Sequence, residues 1–191
     1  MLLNSPVTYR LKTRILSFGR ESVCDYLSGR TDLPLDGRVL DVACGTGSHA
    51  RVFPGTFCGV DLNRDYLDYA RKRSRGTYAL VDAARLSFPD ESYDLVYSVG
   101  LCHHLPDRQV EATAREMKRV TTKGGQTLII DGVLPPKTNP IGHVLFRLDR
   151  GEHVRPLEAL QDLLTGEGFE LILANIPGSF PYRRAVFSHR K

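Results

Sequence analysis

Residues 39–50 read VLDVACGTGSHA, and this stretch decides how the chain folds. A short apolar run passes directly into a glycine-rich turn. Gly45 and Gly47 permit a tight turn and let a ligand approach the backbone, while the small Ala50 allows the next segment to pack closely. The stretch therefore predicts a buried strand, a turn that can bind a ligand, and the start of a helix.

A second apolar run ends at Asp61, at about the distance where Rossmann-type domains carry the acid that binds ribose hydroxyls. Glycine turns also close many strands that bind nothing, so this acid is a separate signal. On these two features alone, a nicotinamide dinucleotide fits as well as another ribose-containing cofactor.

The whole chain alternates apolar runs with helix-like segments, which is typical of βαβ units around a mostly parallel sheet. The predicted strands are Val39–Ala43, Thr56–Val60, Tyr78–Val81, Tyr93–Ser98, Gln126–Asp131, Glu170–Ala174 and Arg184–Ser188. The predicted helices are Ser48–Phe53, Arg64–Arg73, Ala83–Leu86, Arg108–Val120 and Pro156–Thr165, the last one preceded by a proline-containing loop and the segment Ile141–Arg150. The last two strands lie too close in sequence for a crossover helix, so we expect them to pair antiparallel.

Composition fits one globular domain: 191 residues with 41% hydrophobic and 25% charged residues. The net charge of +4 slightly favours anionic partners without requiring nucleic acid. The four cysteines include no CxxC pair, so they indicate neither a zinc site nor a disulfide framework. No apolar stretch is long enough to span a membrane, and we therefore expect a cytoplasmic protein. Residues 1–37 are predicted to form a basic, helical arm that packs on the domain, covers its ligand or touches a membrane surface peripherally.

Several segments together resemble the class I S-adenosylmethionine (SAM)-dependent methyltransferases, in particular the type 11 group that also contains the quinone-biosynthesis methyltransferases. The matching segments are Asp41–Gly47, Gly59–Asn63, Val81–Ala83, Phe88–Val96, Gly100–Asp107 and Lys123–Gly125. The resemblance implies an α/β fold, a Rossmann-like three-layer sandwich around a seven-stranded sheet of order 3-2-1-4-5-7-6 with an antiparallel C-terminal strand. It also implies a SAM-binding domain over residues 38–191, with an acceptor-side insertion at about 134–156.

The resemblance further implies a cofactor site. Asp41 would orient the amino group of SAM, directly or through water, and Asp61 would accept hydrogen bonds from both ribose hydroxyls. Asp82 would accept from the adenine amine. The implied set is Asp41, Ala43, Gly45, Gly47, Asp61, Leu62, Asp82, Ala83 and Ser98. The other reading of a lone aspartate at a strand end is a helix N-cap.

Acceptor-side residues are predicted in two places. His103 and His104 follow the fourth predicted strand, where a base would lie near the reacting methyl group; the other reading is that they pack under the next helix. Arg150, His153 and Arg155 lie in the segment DRGEHVR, which resembles a segment found in a subset of these methyltransferases, but such a charge cluster is also typical of a solvated turn.

The function predicted from these observations is transfer of a methyl group from SAM to a small-molecule or lipid-like acceptor, without a metal. A SAM-binding partner or regulatory protein that has lost catalysis is the alternative, because binding and turnover share the same motifs. A nucleic-acid methyltransferase is disfavoured, since neither an amide motif of the NPPY type nor a separate recognition domain is evident.

Overall fold

A seven-stranded sheet forms the centre of the protein, in a computed structural model that describes residues 22–30, 32–148 and 151–191. The strands are β1 (Arg38–Val42), β2 (Thr56–Asp61), β3 (Thr77–Leu80), β4 (Tyr93–Val99), β5 (Thr121–Val133), β6 (Glu170–Leu173) and β7 (Arg183–Arg190). Their order is β3-β2-β1-β4-β5-β7-β6, and only the pairings that involve β7 are antiparallel. The predicted fold class, strand order and antiparallel C-terminal pair are confirmed.

Helices cover both faces of the sheet. They are α1 (Ser22–Ser28), α2 (Arg64–Arg73), α3 (Asp107–Val120), α4 (Pro140–Leu148) and α5 (Leu157–Gly166), with short 3-10 helices at Ala50–Val52 and Cys102–His104. Alternate residues of the buried strands face two separate apolar clusters. One cluster includes residues of α3 and α5, and the other includes residues of α1 and α2, so the protein has three layers.

Two predicted helices are wrong in form. The segment Ala83–Leu86 makes a turn, in which the N–H of Arg85 donates to the carbonyl of Asp82 at 3.0 Å. The segment is too short to form a stable helix, because forming the first helical turn is energetically unfavourable and no further turn follows it. The helix predicted at Ser48–Phe53 is reduced to the 3-10 turn Ala50–Val52, because the chain leaves helical geometry at Phe53, whose side chain is fully buried.

The fifth strand begins at Thr121, five residues before its predicted start. Its parallel pairing with β4 shifts register between Tyr93 and Leu95. Beyond β5, the segment predicted as Ile141–Arg150 forms α4, and Phe146 of α4 lies against Gly132 of β5. Arg150 lies outside the described residues.

Of the predicted N-terminal arm, the described part contains α1, which packs on one face of the sheet through its buried residues Val23 and Leu27. Residues 1–21 lie outside the described residues. Among the residues that the structure describes, no helix is both long and apolar enough to cross a membrane.

Candidate functional site

The candidate site lies at the carboxyl ends of β1, β2 and β4. β1 is paired with β2 on one side and with β4 on the other, in parallel register. The chain continues from β1 to β2 but crosses over to β4 on the opposite side, so the direction of winding reverses beside β1. Ligands of open α/β sheets bind at such a switch point.

The glycine-rich turn has the left-handed backbone geometry that its sequence predicts. Gly45 and Gly47 have φ values of 53° and 69°, and Ala43 before them has a φ of 64°. Such a φ costs a residue with a Cβ roughly 1–2 kcal/mol, and strain of this kind is concentrated at functional sites. At Gly47, an added Cβ would also lie 2.6 Å from the hydroxyl oxygen of Tyr78, so this glycine serves packing on β3 as well as the turn.

Asp61 connects the second strand to this turn. Its Oδ2 accepts from the backbone N–H of Gly45 at 2.8 Å, and its Oδ1 accepts from the N–H of Asn63 at 2.8 Å. Burial raises the pKa of Asp61 above its ordinary value, while the N–H groups of Asn63 and Gly45 oppose that shift. Each carboxylate oxygen has a second lone-pair direction, so the group can hold the turn and still accept from a ligand.

Asp41 is buried beneath the turn, with a side chain that is 1% exposed. Its Oδ2 accepts a hydrogen bond of 2.8 Å from the hydroxyl of Tyr97, and Nδ1 of His49 lies 3.7 Å from the same oxygen. Its Oδ1 has no hydrogen-bond partner within the described ranges. A buried carboxylate oxygen with no partner is costly, so this atom needs a donor from outside those ranges.

The other residues predicted for the cofactor lie along the same edge. Leu62 follows β2 and is 67% exposed. Asp82 is exposed after β3, and its Oδ1 accepts from the N–H of Ala84 at 2.9 Å, as in the N-cap reading. Ser98 of β4 is 1% exposed, and its hydroxyl also has no hydrogen-bond partner among the described residues.

A buried histidine–carboxylate pair stands next to this edge. Nδ1 of His103 lies 2.6 Å from Oδ1 of Asp131 in β5, and Oδ2 of Asp131 accepts from the N–H of Cys102 at 2.5 Å. Burial acts to raise the pKa of Asp131, but the charge and hydrogen bond of His103 and the N–H of Cys102 outweigh it and lower that pKa. Asp131 is therefore ionised at neutral pH and accepts a hydrogen bond from Nδ1–H, so that Nε2 is the basic nitrogen whenever the ring is neutral.

The two acceptor-side clusters predicted from the sequence meet in the structure. The N–H of His153 donates to the carbonyl of His103 at 3.0 Å, and Gly151 lies so close that an added Cβ would be 2.4 Å from Cδ2 of His103. His104 is exposed, with its ring centroid 4.1 Å from that of His103.

The guanidinium of Arg155 is bound by groups of the protein itself. All five of its N–H donors are used within the described chain: two bind Asp107, and the others bind the carbonyls of Cys102, Leu105 and His153 at 2.7–2.9 Å. Its side chain is 11% exposed. These contacts fix the segment around His153 to the 3-10 helix that carries His103, and the acceptor-side role of Arg155 stays a prediction.

Sequence reasoning missed three members of the site, namely Tyr97, His49 and Asp131. Tyr97 lies opposite Asp41 in the β1–β4 register, so a polar side chain in the middle of an apolar run was the available signal. Asp131 lies two residues before the end of the fifth strand, and Asp61 ends the second. Carboxylates at or near strand ends are therefore informative along this edge of the sheet.

A family model described as a methyltransferase domain matches residues 39–125. Methyltransferase GfsG of Streptomyces halstedii is 34% identical over 125 residues, which are 60% of this chain and 44% of that protein. A fatty-acid O-methyltransferase of Mycolicibacterium smegmatis is 36% identical over 121 residues, which are 59% of this chain and 43% of that protein. The chain thus spans less than half the length of these curated relatives.

Among solved structures, the fold resembles the magnesium protoporphyrin IX methyltransferase of Synechocystis, solved with bound S-adenosylhomocysteine (SAH). The TM-score is 0.67, with 18% sequence identity over 90% of this chain and 81% of that one. At this identity, the similarity concerns the fold alone.

Proposed function

We propose that this chain is a class I SAM-dependent methyltransferase, which binds SAM and transfers its methyl group to a small-molecule or lipid-like acceptor. The observation that carries this proposal is the polar arrangement under and beside the glycine turn. Asp41 has a buried oxygen with no partner in the described ranges, and Asp61 ends the neighbouring strand.

This arrangement fits SAM in its charges. The methionine part of SAM carries an ammonium group, and a buried carboxylate beneath the turn would bind it directly or through water. In this proposal Asp61 accepts from the ribose hydroxyls while it keeps its bonds to the turn. Leu62 would lie against the adenine with its exposed side chain. Asp82 and Ala83 would bind the adenine edge, and Ala43, Ser98 and the two glycines of the turn would line the methionine part.

When bound, SAM supplies a methyl group on a sulfonium, which is already an activated leaving group. The protein then needs to orient the acceptor and, for a hydroxyl or carbon acid, to take up a proton. We propose His103 for the second task. Asp131 holds its Nδ1 at 2.6 Å, and that contact favours the tautomer in which Nε2 accepts a proton. The imidazole would pass from neutral to charged beside an ionised carboxylate, which stabilises the charged form.

The proposed base favours one kind of acceptor. An acceptor with a hydroxyl group gains most from a base, because its oxygen has to lose a proton, whereas the carboxylate of a fatty acid, the acceptor named for one similar protein, is already ionised at neutral pH. We propose that residues 134–156 form the acceptor-side wall, since the segment Gly151–Arg155 is fixed against the 3-10 helix that carries His103. His104, Arg150 and His153 are the remaining candidates for acceptor contacts.

Calorimetry with the purified protein tests cofactor binding. We expect SAM and SAH to bind and NADH not to bind. Binding of NADH with no response to SAM would overturn the proposal.

A second assay supplies labelled SAM together with lipid, quinone and sugar fractions of a cell extract. Label in one fraction would identify the acceptor class, whereas SAH binding with no transfer to any fraction would indicate a SAM-binding partner protein without catalysis.

A further inference from the structure

The two carboxylate oxygens of Asp41 have different surroundings. Oδ2 accepts the hydroxyl proton of Tyr97 at 2.8 Å, and His49 lies near the same oxygen at 3.7 Å. Oδ1 is equally buried but has no hydrogen-bond partner within the described ranges. The carboxylate is therefore held at one oxygen and leaves the other for a donor that the described protein does not supply.

The hydroxyl that holds Oδ2 is itself fixed. Tyr97 lies opposite Asp41 in the parallel register of β1 and β4, so the sheet itself brings the two side chains to the same face. The ring is completely buried and its centroid is 5.1 Å from that of Phe53. Burial and the neighbouring Asp41 both raise the pKa of Tyr97, so the phenol stays protonated and can only donate toward this carboxylate.

We infer that Tyr97 is a positioning residue for cofactor recognition: it holds the carboxylate of Asp41 so that Oδ1 receives the ammonium group of the methionine part of SAM. This inference rests on the proposed function. It concerns one end of the ligand alone, because the hydroxyl of Tyr97 donates to Asp41, whereas Asp61 accepts from the backbone N–H groups of Gly45 and Asn63. A tyrosine of purely structural importance would affect all parts of the ligand alike.

The test compares two ligands, SAH and its deamino analogue, which has a thiobutyrate chain in place of the amino acid. For Tyr97→Phe we expect the affinity for SAH to fall by about tenfold, the loss expected when a buried charge loses one hydrogen bond. The affinity for the deamino analogue should change by less than about twofold, because that ligand has no ammonium group. Isothermal titration of the full chain measures both.

Two further variants separate positioning from packing. Asp41→Asn should abolish most of the preference for SAH, and adding Tyr97→Phe to it should produce no further change, since the two side chains would act as one unit. His49→Gln is the matched control, because its imidazole lies beyond hydrogen-bond distance from the carboxylate. It should alter the preference less than Tyr97→Phe does.

The outcomes that overturn the inference are distinct from those that overturn the function. If the wild type binds SAH but Tyr97→Phe weakens both ligands equally, or weakens neither, Tyr97 does not position Asp41. A larger effect of His49→Gln would also overturn the inference and assign the positioning to the imidazole. If the wild type binds neither ligand, the proposed cofactor is wrong.

Discussion

The imidazole of His103 and the carboxylate of Asp131 lie 2.6 Å apart and are both buried, although they come from the 3-10 helix after β4 and from β5. The lowered pKa of Asp131 keeps this carboxylate charged in the folded protein. Its contribution to folding stability is therefore present above the pKa of the unfolded carboxyl group and is lost as the pH falls through the lower, folded value. The pair thus combines a structural role with the geometry of a base and the group that orients it.

Replacing His103 by Gln should lower kcat/KM by about 10²–10⁴-fold, the usual contribution of a general base. The acidic limb of the kcat/KM profile should also disappear, because glutamine does not titrate. His104→Gln is the matched control: the same change one residue along, on an exposed ring, should keep the acidic limb. An unchanged profile in His103→Gln together with a flattened one in His104→Gln would transfer the role to the neighbouring ring.

Replacing Arg155 by Ala should lower the free energy of unfolding by ~1.5–3 kcal/mol, because part-buried backbone carbonyls lose a charged donor. The carbonyls of Cys102 and Leu105 would lose the hydrogen bonds that they accept from the guanidinium. Urea denaturation measures the effect, and Arg108→Ala, an exposed arginine at the start of α3, should cost less than ~0.5 kcal/mol. If Arg155→Ala keeps the wild-type stability but loses turnover, Arg155 orients the acceptor as the sequence suggested.

The sequence predicted the sheet well because each strand has its own signal. Apolar runs of strand length, ended by Asp61 or by glycine, indicated where parallel strands stop, and their confirmed order follows from the family resemblance. The failures were local. Ala83–Leu86 resembles a helix in composition, but the carbonyl and carboxylate of Asp82 are both used in a turn there.

The contacts of single side chains were beyond sequence reasoning. That Tyr97 meets Asp41 depends on the register of two strands far apart in sequence, and that Arg155 binds the carbonyl of Cys102 depends on backbone atoms that no motif reveals. The residue types indicated that Asp41 and Arg155 are charged and could have a functional role, but not which atoms their side chains contact. The geometry was needed to distinguish an arginine that holds a loop from one that reaches a ligand.

Replacing Asp61 by Asn should weaken SAH binding by ~1.5–3 kcal/mol, through loss of charge-assisted bonds to the ribose. Since burial raises the pKa of Asp61 and a ribose prefers the ionised form, wild-type affinity should be constant above that pKa and fall with the pH below it. The fall should begin at a higher pH than the ordinary aspartate value of 3.8 would give. Titration calorimetry across pH measures this.

The control for this prediction is a ligand without the ribose hydroxyls. The 2′,3′-dideoxy analogue of SAH should bind wild type and Asp61→Asn with similar affinity, whereas a purely structural effect on the turn would weaken both ligands. Asp65→Asn, an exposed acid in the first turn of α2, should leave the affinity for SAH and its pH dependence unchanged. Equal losses for SAH and the dideoxy analogue would contradict a ribose contact.

Replacing Gly47 by Ala should destabilise the protein in two ways, through backbone strain at a positive φ and through a clash of the added Cβ. The same replacement at Gly124 causes only the backbone strain, so it separates the two effects. Both glycines have a positive φ, 69° and 77°, but an added Cβ at Gly124 meets nothing within 4 Å, while at Gly47 it would lie 2.6 Å from the hydroxyl oxygen of Tyr78. Gly124→Ala should therefore cost only the backbone penalty of about 1–2 kcal/mol in unfolding free energy. Gly47→Ala should cost distinctly more, because the aromatic ring must move, and it alone should weaken SAH binding, by at least about tenfold.

Tyr78→Phe removes the nearest atom, so the double variant should recover part of the stability lost in Gly47→Ala. Equal stability losses in the two alanine variants, with SAH affinity intact in both, would show that the turn tolerates a side chain at Gly47 and is not in contact with the cofactor.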